Sequence, residues 1–318
     1  MCIVQKFGGS SLDGWECLRR SAELILEAWR RGLRPLAVVS AAGDATDDMI
    51  QEVQSITPRP SPREMDALLA TGEQRSAALM AIALENFGAP ARSFSGWQAG
   101  LITEGKHGEA RIVRFEPARL LKALDAGEIP VVAGFQGVTD AGEITTLGRG
   151  GSDTTAVALA AALDAELCEI FTDVDGVFTA DPRLVPEAKR LDVIDLRDML
   201  TLAEGGSQVL HAECVRMALR CGQRIRLLSS LHAAPGTRVE PLAAERRPAL
   251  AGVTRDALRH TVTLVGVGAP ERVEALRELL AEAGLPAELA AVTDNSVRFH
   301  VAPGRELEAL RTLHKALF

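Results

Sequence analysis

The chain has 318 residues, 47% of them hydrophobic, and a net charge of −8 from 35 Lys and Arg against 43 Asp and Glu. This is a globular composition with room for two domains, and the lack of a basic block argues against nucleic acid as a partner. No apolar run reaches the length of a membrane span, and residues 1–10 lack the charged-then-apolar order of a signal peptide.

The first 230 residues alternate strand and helix signals. A strand is predicted over 2–6, ending in Gly8-Gly9-Ser10-Ser11, and a helix over 15–30. Residues 35–40 form a near-continuous apolar run, as a strand buried on both faces does. A long helix is predicted over 63–87, a strand over 91–95, a helix over 119–126 and a buried strand over 129–134. A strand over 167–172 follows, then helices around 199–202 and over 212–221, and a strand over 224–228. Such alternation implies a mostly parallel sheet with helices on both faces, in which ligands bind beyond the carboxyl ends of the strands. The glycine-rich segments lie at those ends, after Lys6, Val39, Val132 and Phe171.

A boundary is expected at 235–248, where proline, glycine and charge cluster. Beyond it, strands are predicted over 250–255, 261–267, 287–292 and 297–301, with helices over 271–283 and 305–317. Four strands and two helices indicate a small ferredoxin-like α+β domain. The expected organisation is a domain over 1–240 and a second over 248–318. The five cysteines match neither a CxxC metal site nor a disulfide framework, as expected of reduced thiols in a cytoplasmic protein.

The chemistry concentrates in residues 145–183. Gly148, Gly150, Gly151 and Asp153 form a turn that opens an alanine-rich helix. Glycines let backbone N–H groups approach an anion, and a helix N-terminus adds partial positive charge. Arg149 is a forked cation, and Asp153 suits a metal or a charged ligand. Lys6, beside Gly8 and Gly9, suits phosphate oxygens, although the GxxxxGK[ST] spacing is absent. The hydroxyls of Ser40 and Thr46 suit a small polar substrate and equally suit caps and turns. Glu73, within a helical pattern, can receive an ammonium group or stand as a solvated helix residue. Asp173, Asp175 and Asp181 can bind Mg²⁺, a ribose or a base edge, but Asp175-Gly176 and Asp181-Pro182 are also ordinary turns. The histidines have no metal-ligand spacing, and a Gly-x-Ser-x-Gly elbow is absent. Together these features indicate nucleotide-dependent phosphoryl transfer.

The motifs resemble those of the amino acid kinase superfamily, and within it the aspartate kinases. The resemblance rests on residues 6–11, on Val38-Val39-Ser40-Ala41 with Thr46-Asp47, on Thr71-Gly72-Glu73, on Gly134-Phe135-Gln136-Gly137 and on 145–183. It continues through Val209-Leu210-His211 to Ser229-Ser230. Acetylglutamate and uridylate kinases share the fold, but their first and fourth motifs read differently. The resemblance implies a three-layer α/β/α kinase domain with a mostly parallel sheet, plus a small α+β ferredoxin-like (ACT-like) domain. It implies phosphorylation of L-aspartate on its side-chain carboxylate by ATP with Mg²⁺, in a cytoplasmic homodimer or higher oligomer. Lys6, Gly8, Gly9 and Ser10 would cradle the phosphates. Ser40, Thr46, Glu73, Arg149, Gly150, Ser152 and Asp153 would line the aspartate site, and Thr172, Asp173, Phe178 and Arg183 would bind the nucleotide. Lys6, Arg149 and Asp153 would carry the catalysis, with no protein metal ligands. Kinase action on another small acid, and a non-catalytic nucleotide-binding paralogue, are the alternatives.

The chain departs from the family pattern in places. Ser10 and Phe178 stand where threonine and tyrosine are usual, and residues 212–216 lack the usual proline and arginine after His211. Aspartate kinases carry two ACT modules, whereas the residues after 248 suffice for one. Residues 297–318 resemble the end of the second module, which implies one composite unit and a weak or absent response to lysine and threonine.

Overall fold

The structure, a computed structural model, describes residues 1–318. In chain order the first elements are β1 (Cys2–Phe7), α1 (Gly14–Arg30), β2 (Arg34–Val39), α2 (Ala45–Ile56), α3 (Pro62–Asn86), β3 (Ala91–Phe94), β4 (Leu101–Glu104) and β5 (Arg111–Phe115). Next come α4 (Ala118–Asp125), β6 (Ile129–Ala133), β7 (Gln136–Val138), β8 (Ile144–Thr146), α5 (Gly151–Ala162) and β9 (Leu167–Thr172). They are followed by β10 (Val193–Asp195), α6 (Leu196–Glu204), α7 (Ala212–Cys221), β11 (Ile225–Ser229) and β12 (Thr237–Glu240). The last are β13 (Gly252–Asp256), β14 (Thr261–Val265), α8 (Val273–Glu282), β15 (Glu288–Val292), β16 (Ser296–His300) and α9 (Glu306–Leu317).

The chain forms two compact units. Met1–Val174 with Arg220–Ala234 makes the first, and Asp175–Leu219 with Pro235–Phe318 the second. In the first unit, parallel strands run in the order β11-β9-β1-β2-β6-β3. β6 is buried along its whole length, and β2 from Pro35 onward, because helices cover both faces. α1 turns Leu18, Ala22, Ile25 and Leu26 inward at helical spacing. They meet Phe7, Val39, Met80, Leu84, Val131 and Phe171 in one core. The Phe7 and Phe171 rings stack at 4.8 Å. Strand alternation then sends Lys6 to the opposite face, where α5 lies with residues 151–160 all buried.

A second sheet in this unit, in the order β5-β4-β7-β8, has no counterpart in the predicted elements. Its strands are only three to five residues long, too short for a period-2 signal to emerge. α2 was also missing from the predicted elements, because none of its residues is buried and so no apolar stripe marks it.

In the second unit, an antiparallel sheet runs β13-β14-β16-β15. β14 and β15 both oppose β16, so they are parallel to each other, with α8 as their crossover. This is the split βαβ unit of a ferredoxin-like module, as expected from the four strands and two helices. The end strand comes first in the chain instead of last. Residues 175–219, read from sequence with the kinase segment, pack in this unit. Ala180 and Val185 share a core with Val262, Leu264, Leu310 and Phe299, and Val253 N–H donates to Thr179 O at 2.7 Å. No helix is long and apolar enough to cross a membrane.

Candidate active site

The site in the first unit lies at the carboxyl end of β1. Lys6, the penultimate residue of that strand, is buried and directs Nζ to within 2.6 Å of Asp153 Oδ1. Asp153 stands in the first turn of α5 and is also buried. Oδ1 makes no hydrogen bond, so the contact is an ion pair that leaves directional bonding capacity unused. An ammonium and a carboxylate enclosed this way are restrained without solvent screening.

The turn after β1 is tied to its neighbours through backbone. Gly8 N–H donates to Phe171 O at 3.4 Å, and Gly43 N–H donates to Gly9 O at 3.0 Å. A Cβ at Gly9 would lie 2.8 Å from Ala41 O, so only glycine allows this approach. Ser10 itself is exposed. Ser11 Oγ donates to Ser230 Oγ at 2.7 Å, and Ser230 N–H donates to Thr172 O at 2.8 Å. Ser11 and Ser230 thus fasten the glycine turn to the ends of β9 and β11. They are 219 positions apart, and only their presence in the quoted motifs marked them.

Glu73 connects to the same turn. It is buried in α3, and Ala41 N–H donates to its Oε1 at 3.1 Å. Oε2 is buried without a partner. Burial raises its pKa from 4.5 to about 7, opposed by the backbone N–H bonds. The solvated alternative is therefore excluded. A buried carboxyl with one oxygen unsatisfied is a receptor for a cation or hydrogen-bond donor. Ser40, also half-buried, donates its N–H to Phe7 O, and Thr46 stands in the first turn of α2.

The loop before α5 is shaped by Gly150, whose φ of 71° lies in the left-handed region. Ser152 is buried against Gly134, where a Cβ would come within 2.8 Å of its Oγ. Phe135 adopts φ 68° and donates its N–H to Thr155 Oγ1 at 3.1 Å. Arg149 is exposed and makes no ion pair, so its guanidinium is available to an anion.

The residues predicted for the nucleotide divide between the units. Thr172 and Asp173 belong to the first, where Thr172 Oγ1 donates to Asp173 Oδ1 at 3.0 Å at the end of β9. Phe178 and Arg183 belong to the second. Phe178 is half-buried and bridges by backbone to Arg190. Arg183 is bound to Asp181 through its N–H, Nε and Nη2 at 2.8–3.0 Å, and the guanidinium holds the Asp181 carboxyl below its usual range. Asp181 thus acts in its turn. Cys168 is buried on β9, and burial pushes its thiol far up, away from reactivity.

The site thus joins Asp153, Lys6, Gly8, Gly9, Ala41 and Glu73 into one continuous run, drawn from two strand ends and two helices. The amino acid kinase family profile matches residues 1–229. The aspartokinase of Mycolicibacterium smegmatis is 52% identical over 270 residues, which are 83% of this chain and 64% of that protein. The aspartokinase of Thermus thermophilus is 44% identical over 288 residues, 90% of this chain and 71% of that protein. The chain thus spans less than two thirds of the length of the mycobacterial relative. The crystal structure of E. coli aspartokinase III in complex with aspartate and ADP superposes with a TM-score of 0.87, covering all of both chains at 22% identity, which shows a shared fold. The chain belongs to the amino acid kinase family, on its aspartokinase branch.

Proposed function

We propose that this chain transfers the γ-phosphoryl group of ATP to the side-chain carboxylate of L-aspartate, producing 4-phospho-L-aspartate and ADP. The observation that carries this reading is the buried Lys6–Asp153 pair beside the Gly8-Gly9 turn. Both reactants are anions, so the protein's task is to hold them in line and cancel their repulsion. Lys6 would bridge the attacking carboxylate and the γ-phosphate, with Asp153 orienting its ammonium. The backbone of Gly8, Gly9 and Ser10 would receive phosphate oxygens. Glu73 would pair with the substrate ammonium through its unsatisfied Oε2, and Arg149 with a substrate carboxylate. Ser40, Thr46, Gly150 and Ser152 would line the same site. Thr172, Asp173, Phe178 and Arg183 would serve the nucleotide. No general base is needed, because the attacking carboxylate is already ionised at neutral pH.

No group of three or more His, Cys, Asp or Glu side chains converges to hold a metal ion. Mg²⁺ would arrive on the nucleotide phosphates, which need only one or two protein carboxylates to hold it. The relatives' name and the aspartate and ADP in the E. coli enzyme support the choice of substrates. We further take the enzyme to be a cytoplasmic homo-oligomer. Its cysteine spacings match no disulfide framework, which suits a reducing compartment, and the edge strand β15, exposed throughout, offers a pairing surface. Hydroxamate trapping of the acyl phosphate tests the reaction, with aspartate, glutamate and acetylglutamate compared at saturating MgATP. Product from aspartate alone supports the reading; product from another acid, or none, overturns it.

A further inference from the structure

Asp66 lies in the second turn of α3 and is 1% exposed. Its carboxylate receives four hydrogen bonds. Oδ2 accepts from Gly108 N–H at 3.0 Å, from Thr146 N–H at 3.0 Å and from His107 Nδ1 at 2.9 Å, and Oδ1 accepts from Thr146 Oγ1 at 2.6 Å. A carboxylate has no proton to give, so His107 carries its proton on Nδ1. A buried carboxylate is tolerated only when its oxygens are satisfied, and here every donor comes from the loop between β4 and β5 or from the last residue of β8, where the loop into α5 begins.

The two loops also meet directly. Ala110 N–H donates to Thr146 O at 3.0 Å, and a Cβ at Gly148 would stand 3.1 Å from Gly108 O. From Thr146 the chain runs through Leu147, Gly148, Arg149 and Gly150 into α5. Leu147 N–H donates to Phe135 O at 2.9 Å. The exposed Arg149 head group has no ion pair to hold it, so its reach is set by the backbone on which it stands.

We infer that Asp66 is a positioning residue for this loop, and that its carboxylate fixes Thr146 and thereby the placement of Arg149 against the substrate carboxylate. This rests on the proposed assignment of Arg149 to the amino-acid site. In Asp66→Asn, the same-sized amide brings an NH₂ group up against backbone and imidazole donors. The KM for aspartate is expected to rise about 10- to 100-fold. The KM for ATP should stay within about threefold. Amide exchange at 108 and 146–151 should accelerate while 70–86 stays protected. Thr146→Val deletes only the hydroxyl bond and should raise the aspartate KM about two- to fivefold, with Thr146→Ser restoring it.

If Asp66→Asn keeps the wild-type aspartate KM, or only its active fraction falls, the inference is overturned and aspartate phosphorylation still stands. If Asp66→Asn does not fold, the Thr146 pair decides, and equal KM values for Val and Ser overturn it. If the wild-type chain forms no hydroxamate from aspartate, the functional reading fails separately. The exchange measurement then decides: faster exchange at 146–151 supports the role of Asp66, and unchanged exchange overturns it.

Discussion

Glu73→Gln replaces a buried carboxyl with a neutral group of the same shape. Burial moves the Glu73 pKa from 4.5 to about 7, a displacement worth about 3 kcal/mol. Because the folded value lies above the unfolded one, the folded protein keeps a proton that the unfolded chain has released. This contribution is fully present below pH 4.5 and is lost as pH rises through about 7. Ligand-free wild type should therefore lose stability relative to Glu73→Gln between pH 5 and 8, by about 5–10 °C in Tm. Substrate ammonium requires the ionised form, so the wild-type aspartate KM should fall as pH rises from 6 to 7 and then level. Removing the charge should raise the aspartate KM about 30- to 1000-fold and abolish that pH dependence. Thermal melts at pH 5 and 8, with hydroxamate kinetics from pH 6 to 8, measure both. An unchanged KM in the variant, or a wild-type KM flat across that range, would refute the assignment of Glu73 to the substrate ammonium.

The other predictions concern separate parts of the chain. Lys6→Ala should lower kcat by about 10²–10³-fold with the fold retained by circular dichroism, and near-normal turnover would remove Lys6 from the chemistry. In the second unit, Arg247 bonds Asp198 through Nη2 at 2.5 Å, and Asp198 is fully buried. Arg247→Leu should cost about 3–5 kcal/mol, seen as a Tm lower by about 5–15 °C, and adding Asp198→Asn should recover part of it. An unaltered melt in Arg247→Leu would show that the pair contributes nothing.

Much of the sheet was legible because its signals are local. β1, β2 and β6 read as apolar runs since both faces are covered, and the glycine turns after them mark the ligand end. The strands β4, β5, β7 and β8 escaped because three to five residues carry too little periodicity. The two readings of Glu73 were equally open in sequence, since a helix pattern does not say which surface will cover it. Asp66 carried no signal, because its donors lie 41 and more positions away.

Residue type and spacing alone determined the parallel architecture, the phosphate-suited glycine turns and the resemblance of the motifs. Tertiary structure decided which charges are buried together. Lys6 and Asp153 are 147 positions apart and meet because β1 alternation and the first turn of α5 direct them to one point. Burial, and with it the displaced pKa of Glu73, depends on what the rest of the chain excludes from water. That is a property of packing at long range, which no local pattern encodes.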